Sequence, residues 1–139
     1  MREILFRGKS KDNGEWVQGF YVCAGGKLHY ILIGKIHIVY GNVEFVKCIV
    51  DPSAIGQYTG LKDKRGQRIF EGDLVQAVLP KTTAQMGFTW PIMPVVFRDG
   101  TFGLLDHRDE VTPFRSFAPR VTFEVLGNIH DNPELMKGE

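Results

Sequence analysis

Four residues of the types that bind zinc are spread over the first half of the chain: Cys23, His29, His37 and Cys48. Zinc sites usually take ligands in closely spaced pairs, because a single turn can then supply two of them. None of these four residues forms such a pair. The charged opening residues 1–7 do not read as an export signal, and two cysteines are too few for a disulfide framework. We therefore expect reduced thiols, two strand histidines, and no metal or cofactor.

The run Asp106–Glu110 groups carboxylates with a histidine and an arginine, as a general base or a metal site would require. Such groups do chemistry when a pocket perturbs their pKa values, whereas five consecutive polar residues are typical of a solvated loop. No Gly-x-Ser-x-Gly motif occurs, and no serine or cysteine has a neighbouring base. We expect no catalytic residues. An enzyme whose site is formed by distant polar groups is kept as a further alternative.

A loop at 80–94, framed by prolines, carries large flexible and aromatic side chains: Met86, Phe88, Trp90 and Met93. Methionine and aromatic residues are common in adaptable protein contacts, so this loop is the candidate interaction site. The alternatives are a loop that folds down to cap one end of a barrel, or a contact with a second copy of the chain.

A basic turn offers a different function, because small barrels can stack nucleic-acid bases on aromatic rings beside cations. Acidic neighbours dilute its charge, and the formal net charge of the whole chain is only +1. Nucleic-acid binding is therefore kept as the alternative to protein binding. The residues concerned are Lys62, Lys64, Arg65 and Arg68, near Tyr58 and Phe70.

Strand periodicity dominates the elements that must position these groups, and helical periodicity is nearly absent. The first strand is expected within residues 1–7, and Gly25-Gly26 predicts a hairpin turn. The segment Asp51–Ile55 is predicted to be a short helical turn, with aspartate as its cap and proline in its first position. A second brief helical turn is expected after Asp131. We predict a mainly β protein with little helix.

The stretch 57–75 holds the densest turn signals. Asp63-Lys-Arg-Gly66 fits a tight turn with glycine in the left-handed region. Gly72-Asp73 fits a second reversal in which the carboxylate accepts backbone N–H groups. These residues have backbone roles, which favours a scaffold over a binding site.

The bulk composition fits a single domain. The 139 residues are 43% hydrophobic and 12% aromatic, enough to bury a core. No apolar run is long enough to span a bilayer, so no membrane contact is expected.

Three segments together give the chain its family resemblance. They are Met1–Lys9 with Gly14–Val17 and Gly19; Val50–Pro52 with Gly56–Lys64 and Ile69–Asp73; and Leu126–Leu135. They resemble the YopX-like family of phage and prophage proteins, whose function is uncharacterised. The resemblance implies a single YopX-like domain, with a β-hairpin lobe over 1–54 and a lobe over 55–139 similar to a Src-homology-3-like barrel. It also implies the cytoplasm of a bacterial host. The turn residues that carry the signature, expected to be structural, are Gly60, Asp63, Gly66, Gly72, Asp73, Asn128 and Pro133.

These observations favour a phage accessory protein that is not an enzyme. We expect a β module that acts by binding an unidentified protein partner or another copy of itself.

Overall fold

The computed structural model describes residues 2–37, 41–79 and 90–137, with only the backbone for 35–37 and 137. The prediction of a mainly β protein is confirmed. Within the described residues no helix is long and apolar enough to cross a membrane. The strands are β1 (Phe6–Ser10), β2 (Trp16–Ala24), β3 (Leu28–His37), β4 (Asn42–Lys62), β5 (Arg68–Phe70), β6 (Asp73–Val78), β7 (Ile92–Arg98), β8 (Thr101–Leu105), β9 (Val111–Pro113) and β10 (Thr122–Asn128), with 3₁₀ helices at Phe114–Ser116 and Pro133–Lys137.

The chain divides into two compact units, Met1–Tyr58 and Thr59–Glu139. In the first unit β1, β2, β3 and β4 are neighbours in that order, and β1 also pairs with β4. All of these pairings are antiparallel. The Gly25-Gly26 hairpin is confirmed, since both glycines have positive φ and β2 and β3 pair on either side of them.

The prediction of a helical turn at Asp51–Ile55 is wrong, because this segment is part of β4. The register of β1 against β4 passes from Gly8 opposite Ile55 to Ser10 opposite Val50, so β4 carries extra residues across a bulge. Asp51 accepts the backbone N–H and the hydroxyl of Ser53 there. The φ of proline suits extended backbone as well as a first helical turn, and strand pairing decides between them.

The first strand begins later than predicted, at Phe6, and continues to Ser10. The chain before it still lies beside β4, because the Tyr58 N–H donates to the Leu5 carbonyl at 2.7 Å.

The second unit contains a five-stranded antiparallel sheet in the order β10-β6-β7-β8-β9. Strands β6 to β9 follow one another, and the final strand β10 returns to lie beside β6. The hairpin between β7 and β8 turns through Asp99 and Gly100, both at positive φ. The core of this unit is apolar and buried, and consists of Ile69, Val75, Met93, Val95, Leu104 and Val125.

Candidate functional site

The Asp63 carboxylate stabilises its turn through both oxygens, one bonded within the turn and one bonded to β10. Oδ1 of Asp63 accepts the N–H groups of Arg65 and Gln67, each at 2.9 Å. Oδ2 accepts the N–H of Val125 on β10 at 3.2 Å, and the residue is buried. Burial by itself raises the pKa of this carboxyl, but the three backbone hydrogen bonds outweigh burial and hold the pKa below its usual value. The carboxylate therefore joins a turn to a strand that lies far along the chain.

The neighbouring signature turn has a similar construction. Gly72 has a φ of 92°, and Oδ2 of Asp73 accepts the Phe70 N–H at 2.7 Å in a buried position. The Gly72 N–H donates to the Val95 carbonyl, and its own carbonyl accepts from Ile129. This turn thus links β5, β6 and β7 through backbone groups.

Asn128 closes the last strand. Its Oδ1 accepts the N–H groups of His130 and Asp131, and its backbone N–H donates to Oδ1 of Asn132. Pro133 then begins the C-terminal 3₁₀ helix, as the sequence predicts. In all three places the polar side chains satisfy backbone donors that a strand end leaves open.

The Asp106–Glu110 run forms the same kind of turn as Asp63. Oδ1 of Asp106 accepts the N–H groups of Arg108 at 2.8 Å and Glu110 at 3.0 Å. The pKa of Asp106 is lowered mainly by the Glu110 hydrogen bond. Asp109 takes the left-handed conformation that Gly66 takes in the first turn, with a φ of 62° against 85°. The Asp106 carboxylate thus accepts backbone N–H groups of its own turn, as expected for a loop.

The predicted interaction loop is described only in part, since Met86 and Phe88 lie outside the described residues. Met93 is a core residue with 5% of its surface exposed. Trp90 is half-buried and packs edge-to-face on Phe117, with ring centroids 5.4 Å apart. The described end of the loop therefore packs against the core of the second unit, to which it belongs.

The cysteines and histidines of the first unit lie on neighbouring strands. Cys23 is opposite His29 in the register of β2 and β3, and Cys48 is opposite Ile31 on β4. His29 receives a different partner, because its Nδ1 lies 2.6 Å from the Tyr21 hydroxyl. Among the residues that the structure describes, no three His, Cys, Asp or Glu side chains form a metal-binding group.

The basic turn carries less local charge than its sequence indicates. Nζ of Lys64 lies 3.1 Å from a carboxylate oxygen of Glu124, and Nη2 of Arg65 lies 3.6 Å from the other. The same Arg65 nitrogen donates to the Val125 carbonyl at 3.1 Å. Two of the four cations that motivated the nucleic-acid alternative are thus committed to β10.

One face of the first unit's sheet is both apolar and exposed. Alternate residues of a strand share a face, so the register places Phe20, Leu32 and Lys47 in one row and Tyr30 and Ile49 in the next. Phe20 and Phe45 meet diagonally, with ring centroids 6.4 Å apart. We call this surface the apolar face; its exposed members are Phe20, Leu28, Val43, Phe45 and Ile49.

The opposite face of the same sheet is buried only in part, since Cys23 and Val46 on it are exposed. Ile31 is completely buried there, and Tyr21 packs against Phe6 at 5.4 Å between ring centroids. The apolar face is therefore a second apolar surface rather than the core of this unit. Large apolar groups grouped on one exposed surface make this face a candidate contact site.

Sequence reasoning missed the apolar face, although a signal for it exists. A strand with one solvated face alternates apolar and polar residues, whereas Phe20–Val22 and Tyr30–Ile33 are apolar on both faces. Continuous apolar strands of this kind predict burial on two sides.

Comparison with known proteins agrees with this architecture. The chain matches the model of the family described as YopX protein over residues 5–137. It is similar to the crystal structure of protein EF1440 from Enterococcus faecalis, with 25% sequence identity and a TM-score of 0.60. That similarity covers 98% of this chain and 99% of the other. No curated protein matches the chain. Because the family model spans nearly all of the sequence, the chain belongs to the YopX family.

Proposed function

We propose that this protein is a non-enzymatic phage or prophage accessory protein that acts through protein contacts, in the cytoplasm of a bacterial host. The apolar face is the observation that supports the proposal. Its phenylalanines Phe20 and Phe45 expose 56% and 52% of their surface, although each could bury a large area on contact. The hydrophobic effect favours covering such a surface.

The occupant that this face suits best is a second copy of the chain. Its charged residue, Lys47, already places its ammonium 5.5 Å from the centre of its own Tyr30 ring. The face therefore does not require an acidic partner to neutralise Lys47. The same apolar face of a second copy can pack against it, sheet face to sheet face. Five half-exposed large side chains offer roughly 450 Å² per copy, so two copies would cover about 900 Å² of apolar surface, slightly below the roughly 1,000 Å² of total buried area that a specific interface should exceed.

The fold expected of the second unit is part of this proposal. We infer a small barrel similar to Src-homology-3 domains, in which β10 closes the sheet by pairing with β6. The order of four successive strands, a 3₁₀ helix at Phe114–Ser116 and a returning last strand supports this inference. The division into lobes at 1–54 and 55–139 stays a prediction.

The double variant Phe20→Thr, Phe45→Thr tests the proposed function, since threonine keeps strand propensity while removing the apolar rings. Sedimentation velocity over a range of concentrations should show wild-type dimers and a monomeric variant. The matched control is Phe97→Thr, which removes a phenylalanine of 51% exposure from the second unit and should leave the dimer intact.

Two results would contradict the proposal in different ways. In the first, the wild type remains monomeric at every concentration, and a host protein binds the wild type but not the double variant. The partner of the apolar face would then be that host protein and not a second copy of the chain. Self-association and pull-down profiles that are identical in all three proteins would remove the apolar face from the function altogether.

A further inference from the structure

The second unit has an aromatic groove, whereas the apolar face belongs to the first unit. Its volume is about 420 Å³, within the range of sites that hold a small ligand or a few side chains of a peptide. Its walls are largely aromatic and aliphatic, and include Leu61, Phe102, Phe114, Phe117 and Phe123. We call it the phenylalanine groove.

The phenylalanines hold one another in place. Phe123 meets Phe114 at 5.0 Å between ring centroids and Phe117 at 5.2 Å, both nearly perpendicular. Phe114 begins a 3₁₀ helix directly after Pro113, whose φ of −59° is fixed by its ring. A groove whose side chains are already ordered loses little conformational entropy when a ligand enters.

The charge of the groove is one-sided. Arg115 is exposed and lines it between the phenylalanines, and none of the described lining residues is acidic. An arginine guanidinium offers a planar set of donors that suits a carboxylate, and the apolar walls beside it suit apolar side chains. The groove is therefore complementary to a group that combines apolar side chains with a negative charge.

The ring geometry favours a peptide over a nucleic acid. Base stacking requires open ring faces, whereas the edge-to-face contacts of Phe114 and Phe117 already use Phe123. A single strand would also bring several phosphates to a groove lined by one arginine. One carboxylate beside apolar side chains matches that charge.

We propose that the phenylalanine groove binds a short extended peptide segment in which an aspartate or glutamate follows or precedes apolar residues. The apolar side chains fill the groove and the carboxylate pairs with Arg115. This site is independent of the apolar face and adds a second, sequence-selective contact to the protein.

Selection from a surface-displayed library of random dodecapeptides, using the full chain as bait, tests the proposal. The enriched peptides should contain an acidic residue beside apolar residues. The best of them, labelled with a fluorophore, should bind Arg115→Gln about two- to five-fold more weakly than wild type, because an exposed ion pair is lost. Leu61→Asn should also weaken binding, since it places an amide in the apolar wall.

Charge reversal supplies the sharper comparison. Arg115→Glu should select peptides rich in lysine and arginine, whereas Arg108→Glu changes the net charge equally outside the groove and should select the same peptides as wild type. Both positions are exposed, so their melting temperatures should match that of the wild type.

Three results would overturn the proposal. These are a selection with no acidic enrichment, peptide binding that is unchanged by Arg115→Glu and Leu61→Asn, and salt-sensitive binding of a single DNA strand of roughly 20 nucleotides that Arg115→Glu abolishes. The last result would assign the groove to nucleic acid instead.

Discussion

Replacing Asp63 by asparagine should destabilise the second unit far more than its small change in shape indicates. The aspartate accepts three backbone N–H groups, from Arg65, Gln67 and Val125. Asparagine has one acceptor oxygen and one NH₂ group. If the oxygen stays with Arg65 and Gln67, the NH₂ faces the Val125 N–H, and a buried donor loses its acceptor. The reverse orientation leaves two donors without one.

The expected loss follows from these contacts. A buried donor without a partner costs about 1–3 kcal/mol, and hydrogen bonds to a charged acceptor are stronger than those to a neutral one by roughly 1 kcal/mol. Together these give a decrease of about 3 kcal/mol in the free energy of unfolding for Asp63→Asn. That amount is a large fraction of the total stability of a small protein.

Urea denaturation of the wild type, Asp63→Asn and the matched control Asp106→Asn measures this loss. Asp106 makes the same two bonds through Oδ1, to residues two and four positions ahead, and asparagine can keep both. The control should therefore lose less than about 1 kcal/mol. Equal losses in the two variants would refute the reasoning, because the bond to Val125 would then contribute nothing beyond the local turn.

Two further predictions concern the same turn. Because the pKa of Asp63 is depressed in the folded protein, its stabilisation is complete above the unfolded value near about 3.9 and is lost as the pH falls through the lower folded value. The stability gap between wild type and Asp63→Asn should thus narrow below about pH 4 in urea titrations; a constant gap would contradict this. Gly66→Ala should cost about 1–2 kcal/mol, since Gly66 has a φ of 85° and an added Cβ meets no atom within 4 Å, so the cost is conformational alone. Gly66→Asp should cost less, as Asp109 adopts this conformation in the matching turn, and equal losses measured in urea would count against that explanation.

Local turn chemistry was the part of the fold most accessible from sequence. Asp63 to Gly66 could be predicted because an aspartate carboxylate and a glycine at fixed offsets solve a local backbone problem. The prediction for Asp51–Ile55 was wrong because it too relied on local residues alone. An aspartate followed by a proline suits both the start of a helical turn and an extended strand. Pairing with β1, which is remote in sequence, made it a strand.

The candidate surfaces were less accessible, because they depend on register. Whether Phe20 lies on the buried or the exposed face is decided by which residue of β3 stands opposite, and a shift of one position would exchange the faces. The phenylalanine groove depends on contacts between Leu61, Phe102 and Phe123, which belong to three separate strands. No local sequence pattern predicts that side chains from three strands come into contact.

The bond from Val125 to Asp63 also has a consequence for the order of events during synthesis. The two residues lie 62 positions apart, so a ribosome adding about 5–20 residues per second needs roughly 3–12 seconds to supply the second after the first. Throughout that interval the Asp63 turn can form its local bonds to Arg65 and Gln67, while Oδ2 has only water to accept from. The second unit therefore acquires this hydrogen bond only after residue 125 has been made.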